Sequence, residues 1–440
     1  MKRILATIFA LIFVLSFVVA CGADEPTPAQ EAAGNEAAEE LFPPTDLTVW
    51  TLPARAEFDS SPRSRVSQEL FESQFPGSTV SFESRGRPEQ LLETLNVAMS
   101  AGNPPDIFWS NVGATLTFFI DNDMLVNLDG YAAEFGWLDA YPQAVFDHQR
   151  TFFGGIYALP DDINLMGLWY KRDIFERFGL SEPETYDELI ETLHFLNEND
   201  IIPIANAGRW PAITTRVVDS IHEMIAGPEL RDALLTGRRS FDSPEVIETF
   251  EVFLRDWIDN GFFQEGHLSA EETEVFMLWY PSRACFWFSG GWELSTLIEN
   301  EQDLDDYGFM AFPAGTGRAV AFGNGHAVAS ISPNVDAAIQ FLNIYSSLEV
   351  QRSHQEQFGT SDSARIGAVD MSLVPEQRQT IGRILEEYGH FVPTNELGLS
   401  PEMTDAWFEA LDLLILGQTT PEEAARRLDQ QAIEFGWYRD

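Results

Sequence analysis

The side chains best suited to chemistry in this sequence are tryptophans that stand beside carboxamides, carboxylates and arginines near the ends of short β-rich runs. Trp50 closes the run that starts at Asp46, Arg85 follows Ser78–Glu83, and Trp109, Ser110 and Asn111 end a run begun at Asp106. Asp161, Asp162 and Asn164 lie between two apolar runs, and Trp210, Gly291, Trp292 and Asn324 complete the set. In open parallel sheets, ligand-facing residues sit just beyond the carboxyl ends of strands. An indole offers a flat apolar face, while Asp, Asn and Arg offer hydrogen bonds at its rim. That combination suits a sugar ring, whose C–H face stacks on an aromatic and whose hydroxyls need donors and acceptors.

Packing competes for every one of these residues. The chain has 11 tryptophans, more than one ligand could use, and Trp50 and Trp169 sit inside apolar runs where a core role is the simpler use. Asp161 and Asp162 are adjacent, so in an extended segment they point to opposite sides, and at most one of the two faces a cleft. Asp162 is taken as that one. His326 reads as a structural histidine. Arg85 could serve a hydroxyl, a carboxylate or a surface acid.

Catalysis finds little support. There is no H-E-x-x-H, no G-x-S-x-G and no Walker loop, and Gly323-x-Gly325 lacks the third glycine of a dinucleotide fingerprint. The seven histidines are scattered, without metal spacing. With 70 acidic residues, a carboxylate pair such as Asp161 with Glu293 arises by chance. The expectation is a binding protein without cofactor or metal. An exported glycoside-active enzyme is the weaker alternative.

The ends and the charge say where such a protein works. Lys2 and Arg3 precede an apolar stretch from Ile4 to Ala20, the layout of a secretory signal peptide over residues 1–20. Val18-Val19-Ala20-Cys21 resembles the lipobox of bacterial lipoproteins, which implies a lipid on Cys21. Residues 21–44 are rich in Ala, Glu, Pro and Gly and read as a flexible tether. The expected location is extracytoplasmic, anchored by lipid to a cell membrane. The net charge of −44 argues against nucleic acid or an anionic membrane surface as a partner. It also invites the idea of a saline habitat, where repulsion is screened; equal stability at low and high salt would count against that. Cys285, inside the apolar run Ala284–Phe288, reads as a buried thiol.

The elements that must position these residues follow from periodicity. Asp46–Thr51, Ser78–Glu83 and Asp106–Trp109 read as strands, separated by helical patterns at 64–75 and 91–99. That alternation signals βαβ units. Apolar runs at 155–160 and 165–170 flank the polar segment Asp161–Asn164. Thr185 with Glu188 forms a capping box, and Thr420-Pro421 opens a last helix with Ala424, Leu428, Ala432 and Phe435 on one face.

Several stretches, in order, resemble the extracellular solute-binding proteins of ABC importers, in their carbohydrate-binding, maltose-binding-protein-like branch. They are Asn103–Ile107, Tyr157–Pro160 followed by Leu168–Phe175, Glu184–Leu189, Phe288–Trp292, Gly308–Pro313 and Gly323–Val328. Lys171 and Arg172 depart from the family's usual Asn and Lys, and Thr360–Arg365 lacks its usual Leu-Pro. The resemblance implies an α/β fold of two lobes, the type II periplasmic-binding-protein architecture. Each lobe is then a mainly parallel sheet flanked by helices, and crossover strands join them. The implied lobes are 46–163 with 325–362 and 164–324 with 363–440, hinged near 163–166, 320–325 and 360–366. It further implies a monomer that closes on a small molecule and delivers it to importer permease subunits. The tryptophan-bordered loops favour a neutral sugar, with a polyamine, phosphosugar, metal complex or peptide as alternatives. A sensor subunit would use the same closed state.

Overall fold

The computed structural model describes residues 42–52, 61–86 and 88–438. The expected signal peptide, Cys21 and all but the last residues of the tether lie outside the described residues. Pro44–Asp440 forms one compact unit.

The first third folds as its alternation predicts. Strand β1 (Asp46–Thr51) pairs in parallel with β2 (Thr79–Ser84) and β3 (Ile107–Asn111). Helices α1 (Pro62–Gln74) and α2 (Pro88–Ser100) make the crossovers, each opened by a proline whose missing N–H costs a first turn nothing. Helix α3 (Gln143–Phe153) then leads to the longest strand.

That strand, β4 (Leu159–Lys171), is buried at every position. The sequence suggests a polar interruption at Asp161–Asn164, but the strand runs through it, because those side chains find hydrogen-bond partners inside the protein. Its first half, to Leu165, pairs antiparallel with β8 (Ala319–Val328). From Met166 onward it leaves β8 and pairs with β6 (Ala284–Gly290) on one side and β7 (Tyr307–Ala311) on the other. The sheet order is β2-β1-β3-β8-β4-β6-β5, with β5 spanning Ile202–Ala205; β7 adds to β4, and the short β9 (Phe391–Val392) adds to β8. Pairing is parallel for β1–β2, β1–β3, β5–β6 and β8–β9, and every antiparallel pair involves β4 or β8.

Two hydrophobic clusters fall on either side of this partner exchange. One gathers Trp50, Leu95, Phe108, Phe119 and Ala327. The larger gathers Leu168, Phe286, Phe250, Trp407 and Leu428. Helix α4 (Tyr186–Glu198) carries the expected reciprocal cap between Thr185 and Glu188, and buries Leu189, Leu193 and Leu196. Helix α5 (Pro211–Leu235) is broken at Gly227, whose φ of 71° is left-handed, directly before Pro228. Helices α6 (Val335–Tyr345), α7 (Glu376–Tyr388) and the single turn α8 (Asn395–Gly398) complete the elements that border the site. Cys285 is buried and free of disulfides, and Phe435, expected on the last helix's apolar face, is exposed at its C-cap.

Candidate functional site

Antiparallel partners and next-but-one residues share a sheet face. The register Trp109↔His326, Asn111↔Asn324, Asp162↔Asn324 and Asn164↔Phe322 therefore puts these side chains in one row across β3, β8 and β4. A bulge between Pro160 and Asp162 lets the row form. Without that extra residue the alternation along β4 would send Asp162 to the other face. Hydrogen bonds tie the row together. Asn111 donates to Asn324 Oδ1 at 2.7 Å, Asn324 donates to Asp162 Oδ1 at 2.8 Å, and Asn164 donates to the same oxygen at 2.7 Å. Burial first, and then the neighbouring Asp362 and Asp161, hold the Asp162 carboxyl well above the usual carboxylate range.

The sequence candidates sort around this row. Trp109 flanks it at one end, beside His326, whose ring packs on Tyr345 at 4.7 Å. Burial lowers His326 below the ordinary imidazole value, and its Nδ1 finds no hydrogen-bond partner among the described residues. At the other end Phe322 leads to Trp292, ring to ring at 5.9 Å. Trp292 folds back over its own backbone turn: a Cβ on Gly290 would lie 1.8 Å from the indole, so only glycine fits there. Gly291 packs against Ile381 of α7. The Arg216 guanidinium stands 4.6 Å from the Trp210 ring and 5.2 Å from that of Trp292, and it is held by Glu396. Trp210, at the start of α5, and Trp292 are thus brought together through an arginine the sequence did not single out.

Three candidates do not join the row. Ser110 lies opposite Gly325 on the other face, and its hydroxyl donates to the Asn111 carbonyl. Trp50 is core-packed, its N–H donating to Glu83 at 3.1 Å. Arg85 lies 4.2 Å over the Trp50 ring and pairs with Glu83. These two therefore form a separate cluster with their own partners at the ends of β1 and β2.

Behind the row lies a charged brace. Arg63 of α1 donates to Asp161 at 3.0 Å, to Ser361 at 2.9 Å and to Asp362 at 3.1 Å, and Tyr345 donates to Asp161. Burial opposes the Arg63 charge, and Asp161 and Asp362 more than offset it, so its pKa rises above the ordinary arginine value. Segment 360–366 runs along β4 here, through the bridge Asp162↔Ser363 and the bond from Ala364 N to Asp161 O. One more arginine was not legible in the sequence. Arg378 of α7 is 8% exposed and makes no hydrogen bond or ion pair with the described residues. It lies one helical turn from Ile381, within electrostatic reach of Asp162 and Asp362. Nothing in its local sequence, Glu376-Gln377-Arg378-Gln379, marks it off from a surface helix.

The turn after β3 also meets α8. A Cβ on Gly113 would stand 2.5 Å from the Leu397 carbonyl oxygen, so the two backbones come close together there.

Residues 54–352 match the family described as bacterial extracellular solute-binding protein. An uncharacterised ABC transporter extracellular-binding protein of Pyrococcus horikoshii is 24% identical over 324 residues, 71% of this chain and 70% of that protein. A probable sugar-binding periplasmic protein of Rhizobium meliloti is 24% identical over 54% of this chain and 56% of its own length. Among solved structures, a chitin oligosaccharide binding protein superposes with a TM-score of 0.76 at 22% identity, covering 89% of this chain and 98% of that one. That last likeness bears on the fold alone.

Proposed function

The chain belongs to the bacterial extracellular solute-binding proteins of ABC transporters, and from that premise we propose that its solute is a carbohydrate held against the row from Trp109 to Trp292. The observation that carries this reading is the hydrogen-bonded chain Asn111–Asn324–Asp162–Asn164, half-buried at Asn111 and buried beyond it, with an indole at each end. Carboxamides hold both donors and acceptors, as sugar hydroxyls require, and the flanking aromatics offer faces for C–H groups. Sugar-binding relatives, such as the Rhizobium protein, support the same ligand class.

Capture works by opening and closing. Trp109, Asp162, Asn164 and Asn324 are all less than a tenth exposed, so a sugar reaches them only if their covers part. The partner exchange of β4 at Leu165–Met166 falls within the expected hinge at 163–166 and supports two lobes, 46–163 with 325–362 and 164–324 with 363–440. The lobes swing about the crossovers, and permease subunits read the closed state. The protein works as a monomer, without catalysis, tethered outside the cytoplasm by a lipid on Cys21. A lipid-labelling experiment that finds Cys21 unmodified would remove the anchor and leave the binding role intact.

The deciding experiment is a thermal-shift screen against saccharides, polyamines and sugar phosphates, with tryptophan emission recorded in parallel. At a hundredfold excess over Kd, a true ligand stabilises the fold by about 2.7 kcal/mol. A saccharide is expected to raise the melting temperature and perturb emission, and Trp292→Ala is expected to abolish both. A response confined to polyamines would overturn the carbohydrate assignment.

A further inference from the structure

Arg378 is the feature of this site that the other residues leave unexplained. A guanidinium has five N–H donors and stays charged, and burying it unpaired is costly. Every other buried arginine near the row has a partner: Arg63 has Asp161 and Asp362, and Arg216 has Glu396. Arg378 has none among the described residues, and its Nε is sealed from solvent. The nearby acids do not supply one. Asp362 bonds to Arg63, and Asp162 accepts two amide hydrogen bonds within the row.

The position is as informative as the missing partner. Arg378 is within electrostatic reach of Asp362 and Asp162, and one turn along α7 Ile381 comes against Gly291. Helix α7 thus meets the Trp292 turn at Ile381, with the buried, unpaired Arg378 one turn away. We infer that Arg378 is a ligand-binding residue and that the solute is an acidic saccharide, whose carboxylate the guanidinium holds. This rests on the carbohydrate reading above and sharpens it away from the neutral sugar that the tryptophans alone favour.

The chemistry favours a carboxylate over a phosphate. One planar fork matches a carboxylate through two parallel N–H···O bonds. A phosphate dianion would call for more cationic donors than one free arginine. The protein's net charge of −44 makes a free anion an unfavoured visitor, so an acidic ligand needs a local cation that no internal acid has claimed.

The test compares ligands that differ only at one carbon. Titration calorimetry on the full-length protein would set glucose, galactose and their oligomers against the matching uronates and 6-phosphates. The uronates are expected to bind at least about tenfold more tightly than their neutral partners, with affinity falling as salt rises. Arg378→Gln is expected to remove that preference while retaining weak neutral-sugar binding, an internal control that the variant is folded. Arg378→Lys, which keeps the charge but loses the fork, is expected to restore it only in part. Equal affinity for uronate and neutral sugar would overturn the inference and leave the carbohydrate reading standing. So would a preference for the phosphates, or a uronate preference untouched by Arg378→Gln. Binding of no saccharide at all would remove both together.

Discussion

A half-buried imidazole packed among aromatic rings makes stability depend on acid. His148 of α3 packs its ring on Phe152 at 4.6 Å and on Phe391 at 5.7 Å. Burial pushes its pKa down to about 4. Between pH 6.5 and 4 the unfolded chain therefore binds a proton that the folded protein refuses. Stability is intact above the ordinary imidazole value and is lost as pH falls toward 4. His148→Phe keeps the aromatic packing and removes the titration. Melting temperatures measured at pH 7 and pH 4.5 should lie closer together in the variant, by the equivalent of about 1–2 kcal/mol. An unchanged difference would mean that other groups govern the acid limb. At this scale, standing beside a β-run picked out Trp109, Asn111, Asp162, Asn164 and Asn324, which share the row, but it also picked out Trp50, Ser110 and Arg85, which stand apart from it. Arg216 and Arg378 were not readable, because each sits on a helix whose approach to the row depends on packing across hundreds of residues.

The elements around the site are held by one side chain more than by any other. Arg63 joins α1 to β4 through Asp161 and to segment 360–366 through Ser361 and Asp362, so three stretches distant in sequence share one guanidinium. Its side chain is 5% exposed. Removing one partner of such a group strands the other charges, and Arg63→Met is expected to cost about 3–5 kcal/mol. Chemical denaturation would measure this, and a loss below about 1 kcal/mol would show the brace to be dispensable. Helix caps and βαβ alternation were legible because they rest on local rules: Thr185 with Glu188 is an example, as are the first three strands. The continuity of β4 was not. Asp161–Asn164 look like a break when read along the chain, and their partners lie on β8, α1 and α6, which no local window contains.

Across the whole molecule, Gly113 and Leu397 belong to the two proposed lobes, and on that proposal their approach is a closing contact. Any side chain at Gly113 collides with the Leu397 backbone, which cannot rotate away as a side-chain tip can. Gly113 itself has an extended backbone, φ −157°, that any residue adopts, so a larger residue there strains the contact and not the turn. Gly113→Val is therefore expected to fold normally but to hold the lobes apart. Small-angle scattering should record a larger radius of gyration than wild type under saturating ligand, with affinity reduced about tenfold or more. A variant that compacts as wild type does would place the closing contact elsewhere.

The sealing of Cys285 and Lys171 bears on how the protein can be handled. Cys285 is fully buried, and burial pushes its thiol above the usual range. Lys171 is one of two lysines in the chain, the other being Lys2; its side chain is 2% exposed, and its amine sits 4.0 Å over the Tyr307 ring. The folded body thus resists both maleimide and amine-reactive reagents. With Cys21 lipidated or replaced, a cysteine placed on the rim of the row would be the accessible thiol, and a dye attached there would report lobe movement with Cys285 left in place.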